Sequence, residues 1–214
     1  MPRLNRIRIH NIHFDSGGQS RYYHDTLFEP KGHNSLLLLA NGGGKTLLLH
    51  LLAQVVLPNA RLQERRISRL LEKEQFTGHV MVEWRLDGEM PDFLLTGFCF
   101  ADNLGSANRD MDYFNYIHRY SDENSWDIAS IPLVDAEGRN LNFKQTLDLF
   151  KDSPVAVFHS YRKLEYQAKL ATYNINPREW EHVLKINNSE GGVENFFEGC
   201  SKTRTLMNKL LIPM

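Results

Sequence analysis

Cysteine is scarce in this chain, two residues in 214, so no disulfide framework can carry the fold. Cys99 and Cys200 read as small buried side chains. Neither sign of charge dominates. The formal net charge of −1 gives no global attraction to nucleic acid or anionic lipid and leaves only local patches to supply one. Long apolar runs are missing as well: the longest, residues 47–57, is interrupted by His50 and Gln54 and is too short to cross a bilayer. The opening MPRLNRIRIHNI lacks the apolar core of a signal peptide. These absences imply a cytoplasmic protein with no membrane partner. Repeats and low-complexity tracts are also lacking. What remains, 42% hydrophobic and 24% charged, is the composition of a globular chain long enough for one large domain or two small ones.

What is present concentrates in SLLLLANGGGKTLLLHLLAQVVLP, residues 35–58. A short apolar run leads into three adjacent glycines, then Lys-Thr, then an apolar helical pattern, which is the order a phosphate-binding P-loop needs. The run 35–40 is expected to be a buried parallel strand. Glycine backbone can take left-handed angles and approach a ligand closely, and successive N–H groups then form an anion nest. A helix starting near Lys45 adds the positive end of its dipole. The candidate binding residues are Asn41, Gly42, Gly43, Gly44, Lys45, Thr46 and Leu47. Lys45 is placed to reach β- and γ-phosphates, and the Thr46 hydroxyl to ligate Mg2+, so ATP and Mg2+ are the expected cofactors. The pattern G-x-x-x-x-G-K-[ST] is incomplete, because Leu39 stands at its first glycine. The bland alternative is a glycine turn between a strand and a buried helix, with an unrelated lysine. No residue here reads a base edge, so ATP and GTP are not distinguished.

Elsewhere, residues 6–14 alternate Ile7 and Ile9 with Arg6, Arg8 and His10, a half-buried strand. Ile12 and Phe14 fall out of phase with that alternation, and a bulge or bend near Asn11 reconciles the two halves. Residues 22–28 read as a second strand antiparallel to the first. The helix after the glycines ends near Pro58. Residues 59–74 read as a charged helix in which Arg61, Arg65, Arg69 and Lys73 share a slowly drifting face. Strands are expected at 79–86 and 93–100 around an Asp87-Gly88 turn, and at 113–120. Residues 122–142 are irregular, with a turn at 135–138. Helices are expected at 143–150 and 160–173, then one with Pro177 in its first turn, then a last one from Val193. The expected class is α/β, a mixed sheet around the P-loop helix. A sheet region (1–142) and a helical region (143–214) would make one lobe.

A nucleotide hydrolase also needs an acid to hold the metal's water shell and orient the attacking water. Two apolar runs end in one. In IPLVDAEG, Pro132 and the following Ala-Glu-Gly make Asp135 part of a hairpin turn. FLLTGFCFAD reads as the return arm of a hairpin, which takes Asp102 away from the glycines. The chain therefore reads as able to bind nucleotide and unable to hydrolyse it alone.

A short N-terminal strand with Asn11, a second strand, then Asn-Gly-Gly-Gly-Lys-Thr at 41–46 resembles the opening of SMC-like ATPase heads, the MukB-type condensins and the SMC-like subunits of plasmid and phage defence. That resemblance covers residues 6 to about 57. It implies an N-terminal lobe of an ABC/SMC-type P-loop NTPase head, acting on DNA in chromosome maintenance, repair or defence. Its implied partners are a C-terminal lobe beyond a coiled coil, which supplies the missing acid, a second head, DNA and accessory subunits. A looser likeness at 176–197 puts Asn188 or Glu190 where the family carries a metal-touching glutamine. A plain loop residue is the equal alternative. Two further readings stay open: a self-contained P-loop kinase with Arg61, Arg65 and Arg66 as lid arginines, and a nucleotide-gated interaction module.

Other candidates have bland readings beside them. The stripe Arg61, Arg65, Arg69 and Lys73 could contact DNA phosphate or the nucleotide, but interleaved Glu64, Glu72 and Glu74 favour a solvated helix face. His10 and His13 lack the cysteines or carboxylates of a metal set, and an i,i+3 pair on a strand is expected on opposite faces. By the resemblance, residues 14–22 (Phe14 to Tyr22) would lie near the P-loop and could contact the adenine, though Tyr22 and Tyr23 read more readily as plain packing residues. The aromatic segment 113–120 reads as a sheet face more than as a base-stacking platform.

Overall fold

The structure is a computed structural model that describes residues 2–16, 18–40, 43–61, 67, 77–88, 92–102, 111–121 and 126–188. Its strands are β1 (Arg3–Ser16), β2 (Gln19–Phe28), β3 (Gly78–Arg85), β4 (Phe93–Asp102), β5 (Met111–Tyr120) and β6 (Val157–Ser160). Its helices among the described residues are α1 (Lys45–Val56), α2 (Phe143–Lys151), α3 (Lys163–Ala171) and α4 (Pro177–Asn188). The strands form one six-stranded sheet in the order β2-β1-β3-β4-β5-β6. Every neighbouring pair is antiparallel.

Alternation along the strands sorts side chains to two faces. Val80, Val82 and Trp84 of β3 join Ile7, Ile9, Leu94 and Phe98 in the core under α1, α3 and α4. Met81, Leu95, Cys99 and Tyr116 face the opposite way, against α2 and the segment carrying Ile128, Ile131 and Leu133. The long β1 serves one core from Ile7 to Phe14 despite its broken alternation. Asn11 takes the left-handed φ of 54, so Ile12 and Phe14 return to the face that Ile7 and Ile9 occupy. The bend expected at Asn11 is there.

α1 packs by the stripe Leu47, Leu48, Leu51, Val55 and Val56, all within the first core. Each such burial contributes about 1.5–3 kcal/mol. That outweighs the cost of valine in a helix, under about 0.7 kcal/mol. α2 starts with a capping box: Asn142 accepts from the Gln145 N–H while the Gln145 side chain accepts from the Asn142 N–H. In α4, Pro177 occupies the first turn as expected, and Trp180 meets Trp84 edge-on at 6.0 Å.

The expected fold class is corrected by this topology. A P-loop NTPase has a mainly parallel sheet, whereas this sheet is antiparallel throughout and the class is α+β. The run 35–40, expected as a buried parallel strand, lies outside the sheet, with Leu36 and Leu38 exposed at 83% and 82%. An apolar run before glycines has the composition of a buried strand, but only a hydrogen-bonded neighbour makes it one. Among the described residues no strand pairs with it. One element of the stretch expected to be helical is a strand. β6, within the expected helical region, hydrogen-bonds to β5 and forms an edge of the sheet, and α3 begins only at Lys163. The last expected helix, from Val193, lies outside the described residues.

Candidate phosphate-binding site

Gly43 and Gly44 lie directly before α1, against Phe14 and Tyr23 of the β1–β2 hairpin. Gly44 is the N-cap of α1 and has φ 80. A Cβ there would lie 3.1 Å from the Phe14 ring and the Tyr23 hydroxyl, so the left-handed angle calls for glycine and the space over these side chains is tight. Phe14 and Tyr23 stack with centroids 5.3 Å apart and make the floor of the loop. The Tyr23 hydroxyl donates to the Gly43 carbonyl at 2.7 Å. Burial raises the Tyr23 phenol above its ordinary range, so it is a neutral donor at physiological pH.

Lys45 and Thr46 begin α1, and both are exposed. The Lys45 ammonium reaches back over the loop, donating to the Leu39 carbonyl at 2.9 Å and lying 3.5 Å from that of Ala40. Leu47 buries its side chain, so only its backbone belongs to the site. The N–H groups of a first helical turn have no acceptor within the helix. Gly44 offers no side chain to them, and α1 has no acidic residue in that turn. The positive end of the helix dipole therefore faces outward unneutralised by its own first turn.

The other end of α1 is fixed. Tyr166 donates to the Val55 carbonyl at 2.7 Å and Asn115 to the Gln54 carbonyl at 3.1 Å. These buried bonds set the helix along its axis and so place its first turn. Sequence does not single out Tyr166, and it offers Phe14 for adenine contact and Tyr23 for packing, neither as a support for the glycine loop. The signal that could have found the last two is a lysine-preceding glycine that needs a left-handed angle, with paired aromatic strand residues to floor it.

One expectation about the loop is corrected. The Gly43 N–H does not point into a nest: it donates to the Ala40 carbonyl at 2.9 Å, closing a tight turn. Asn41 and Gly42 lie outside the described residues, as do Arg65, Arg69 and Lys73. Arg61 is exposed just past the C-terminal end of α1. A helix of 12 residues is about 18 Å long, so α1 separates Arg61 from the glycines. Asn188 ends α4, its side chain outside the description, and Glu190 lies outside it altogether. For Mg2+, Thr46 is therefore the one described candidate ligand. That fits an ion which keeps several waters and arrives on phosphate oxygens.

Asp135 accepts from the Glu137 and Arg139 N–H groups within a turn closed by the Val134–Asn140 bridge, as its sequence suggests. β4, which ends at Asp102, is the return arm of the β3–β4 hairpin. The most buried acid, Glu83, faces away from α1 with Met81 and is held by Arg6, Asn5 and Tyr120. None of these three gives the glycine loop a described catalytic carboxylate. The two histidines go separate ways, His10 to Asn140 at 3.0 Å and His13 onto the Tyr22 ring at 4.1 Å. Among the described residues no cluster of three or more His, Cys, Asp or Glu could hold a metal ion. Tyr22 neighbours Tyr23 on the strand and so faces away from the loop floor. No described helix is long and apolar enough to cross a membrane. No protein-family model matches this chain, and comparison with curated proteins gives no match.

Proposed function

We propose that residues 43–46 bind the phosphate tail of a nucleoside triphosphate together with Mg2+, and that hydrolysis waits on an acid from outside this stretch of chain. The observation that carries the reading is Lys45, in the first turn of α1, with its ammonium folded over a glycine loop onto the Leu39 carbonyl. An ammonium held by neutral carbonyls exchanges them for phosphate oxygens with a gain, because charge-assisted bonds are the stronger ones. The fixed helix and the left-handed Gly44 supply the rest of an anion site.

The resemblance to SMC-like heads supplies the wider proposal: ATP as the nucleotide, a C-terminal lobe as the source of the acid, a second head across the nucleotide, DNA as the object, and the cytoplasm as the place. The sheet class forms no part of this reading. Support for a completing lobe comes from the exposed leucines at 36 and 38, an apolar surface directly before the loop.

Equilibrium binding of ATP–Mg2+ to the purified chain tests the proposal. The chain should retain nucleotide, and Lys45→Ala should weaken binding by roughly ten- to a hundredfold, the range of one charged hydrogen bond. Unchanged affinity in that variant would overturn the phosphate assignment. Steady hydrolysis by the chain alone would overturn the split site.

A further inference from the structure

The proposed site has a positioning residue outside the glycine-lysine motif. We infer that Tyr23, through its hydroxyl on the Gly43 carbonyl, sets the peptide plane between Gly43 and Gly44 and so aims the Gly44 N–H at the bound phosphate; this rests on the phosphate reading of the loop.

The argument begins with peptide geometry. No cis bond occurs among the described residues. In a trans peptide the C=O and the following N–H point in opposite directions across one rigid plane. The Gly43 carbonyl is turned down onto Tyr23 at 2.7 Å. The Gly44 N–H is thereby turned up, away from the hairpin. Glycine has the freest backbone of any residue, and such a plane left untethered samples both orientations. The loop needs an outside restraint, and Tyr23 provides it from a regular strand. The Phe14 ring stacked on Tyr23 prevents the phenol from swinging aside. A Cβ at Gly44 would lie 3.1 Å from the Phe14 ring and from the Tyr23 hydroxyl, so the loop backbone sits close over these two side chains.

The restraint also separates two halves of the loop. The Gly43 N–H is spent on Ala40, whereas the Gly44 N–H is presented outward by the Tyr23 bond. Phosphate binding therefore has one donor already oriented beside Lys45, at no ordering cost at the moment of binding.

The test uses the whole chain and two probes, ATP–Mg2+ and tripolyphosphate, which has no base. Tyr23→Phe keeps the ring and removes only the hydroxyl. It should weaken both probes by the same factor, roughly two- to tenfold, the range of one net hydrogen bond. Its melting temperature should stay close to that of the parent. In the ligand-free protein, the Gly43 and Gly44 amide resonances should move and the Gly44 amide should gain conformational averaging. Loss confined to ATP would mean that Tyr23 contacts the base, and overturns the inference. So would unchanged affinity for both probes in Tyr23→Phe while Lys45→Ala loses them, a result that leaves the phosphate site standing. Failure of the parent chain to bind either probe would sink the phosphate site and this inference together.

Discussion

Arg6 grips Glu83 through two parallel hydrogen bonds, Nε to Oε1 and Nη2 to Oε2, each 2.7 Å, across the β1–β3 pairing. The same Nη2 reaches Asp127 at 2.8 Å, and the Tyr120 hydroxyl donates to Glu83. Burial alone would make Arg6 easier to deprotonate, but Glu83 and Asp127 outweigh it and hold the guanidinium charged. Burial would likewise raise Asp127, and bonds from Ser130 and Arg6 bring it below the usual carboxylate range. The network ties the first strand to the segment that covers the far face of the sheet.

Arg6→Ala should cost about 3–5 kcal/mol in urea unfolding, because it leaves a buried carboxylate without its partner. Combining Arg6→Met with Glu83→Gln should cost clearly less than the two single losses added together. Additive losses would show that the pair is not coupled.

Acid should weaken the fold through His79. Its Nε2 lies 3.8 Å from the Cys99 sulfur and its Nδ1 3.5 Å from the Tyr116 hydroxyl. Burial, with the charges of His10 and Arg8, pushes the imidazole down to about 3. In the unfolded chain it titrates near about 6.5. Between those values the unfolded state holds a proton that the folded state refuses, so stability rises with pH. The contribution is complete above about pH 6.5 and drains as pH falls toward the folded value, by about 1.4 kcal/mol per pH unit. His10, also lowered by burial, adds in the same direction. Urea midpoints at about pH 8 and pH 5 check this, and His79→Gln should flatten the difference.

Gly97 is the place where the sheet tolerates least. It faces Tyr116 across the β4–β5 pair, and a Cβ at 97 would fall within the Tyr116 ring. Gly97→Ala should destabilise by at least about 1–3 kcal/mol, the cost of overpacking a filled site. Adding Tyr116→Leu should return part of that loss. A Gly97→Ala protein as stable as its parent would mean that the ring does not lie over the glycine.

Local pattern carried much of this fold. The Ile7–Ile9 and Ile12–Phe14 phases located the turn in β1 at Asn11, and the antiparallel β1–β2 and β3–β4 pairings follow from short turns between alternating runs. The loop residues Gly44, Lys45 and Thr46 stood out because their types are rare in that order. What failed depended on partners. Residues 35–40 have the composition of a core strand, and composition cannot say whether a neighbour exists. β6 is four residues long, too short for its alternation to show between Pro154 and the helix that follows. Tyr23 reads as a packing residue in sequence because its hydroxyl bond is to a backbone atom 20 positions away.

Leu36→Ser with Leu38→Ser should leave the unfolding midpoint within about 0.5 kcal/mol of the parent, as exposed positions do. The same change should reduce binding of an apolar dye. A loss of several kcal/mol would place these leucines in a core.

The Arg6 network also orders events during synthesis. β2 follows β1 directly in the chain, but the other edge of β1 waits for β3 at Gly78–Arg85, and Arg6 waits 121 positions for Asp127. Glu83 would emerge with its guanidinium partner already present and its second anchor still untranslated. Such long separations slow folding, and the nascent chain must stay soluble with its first strand half-satisfied. A translating ribosome stalled before residue 127 should therefore hold the hairpin formed and the sheet open.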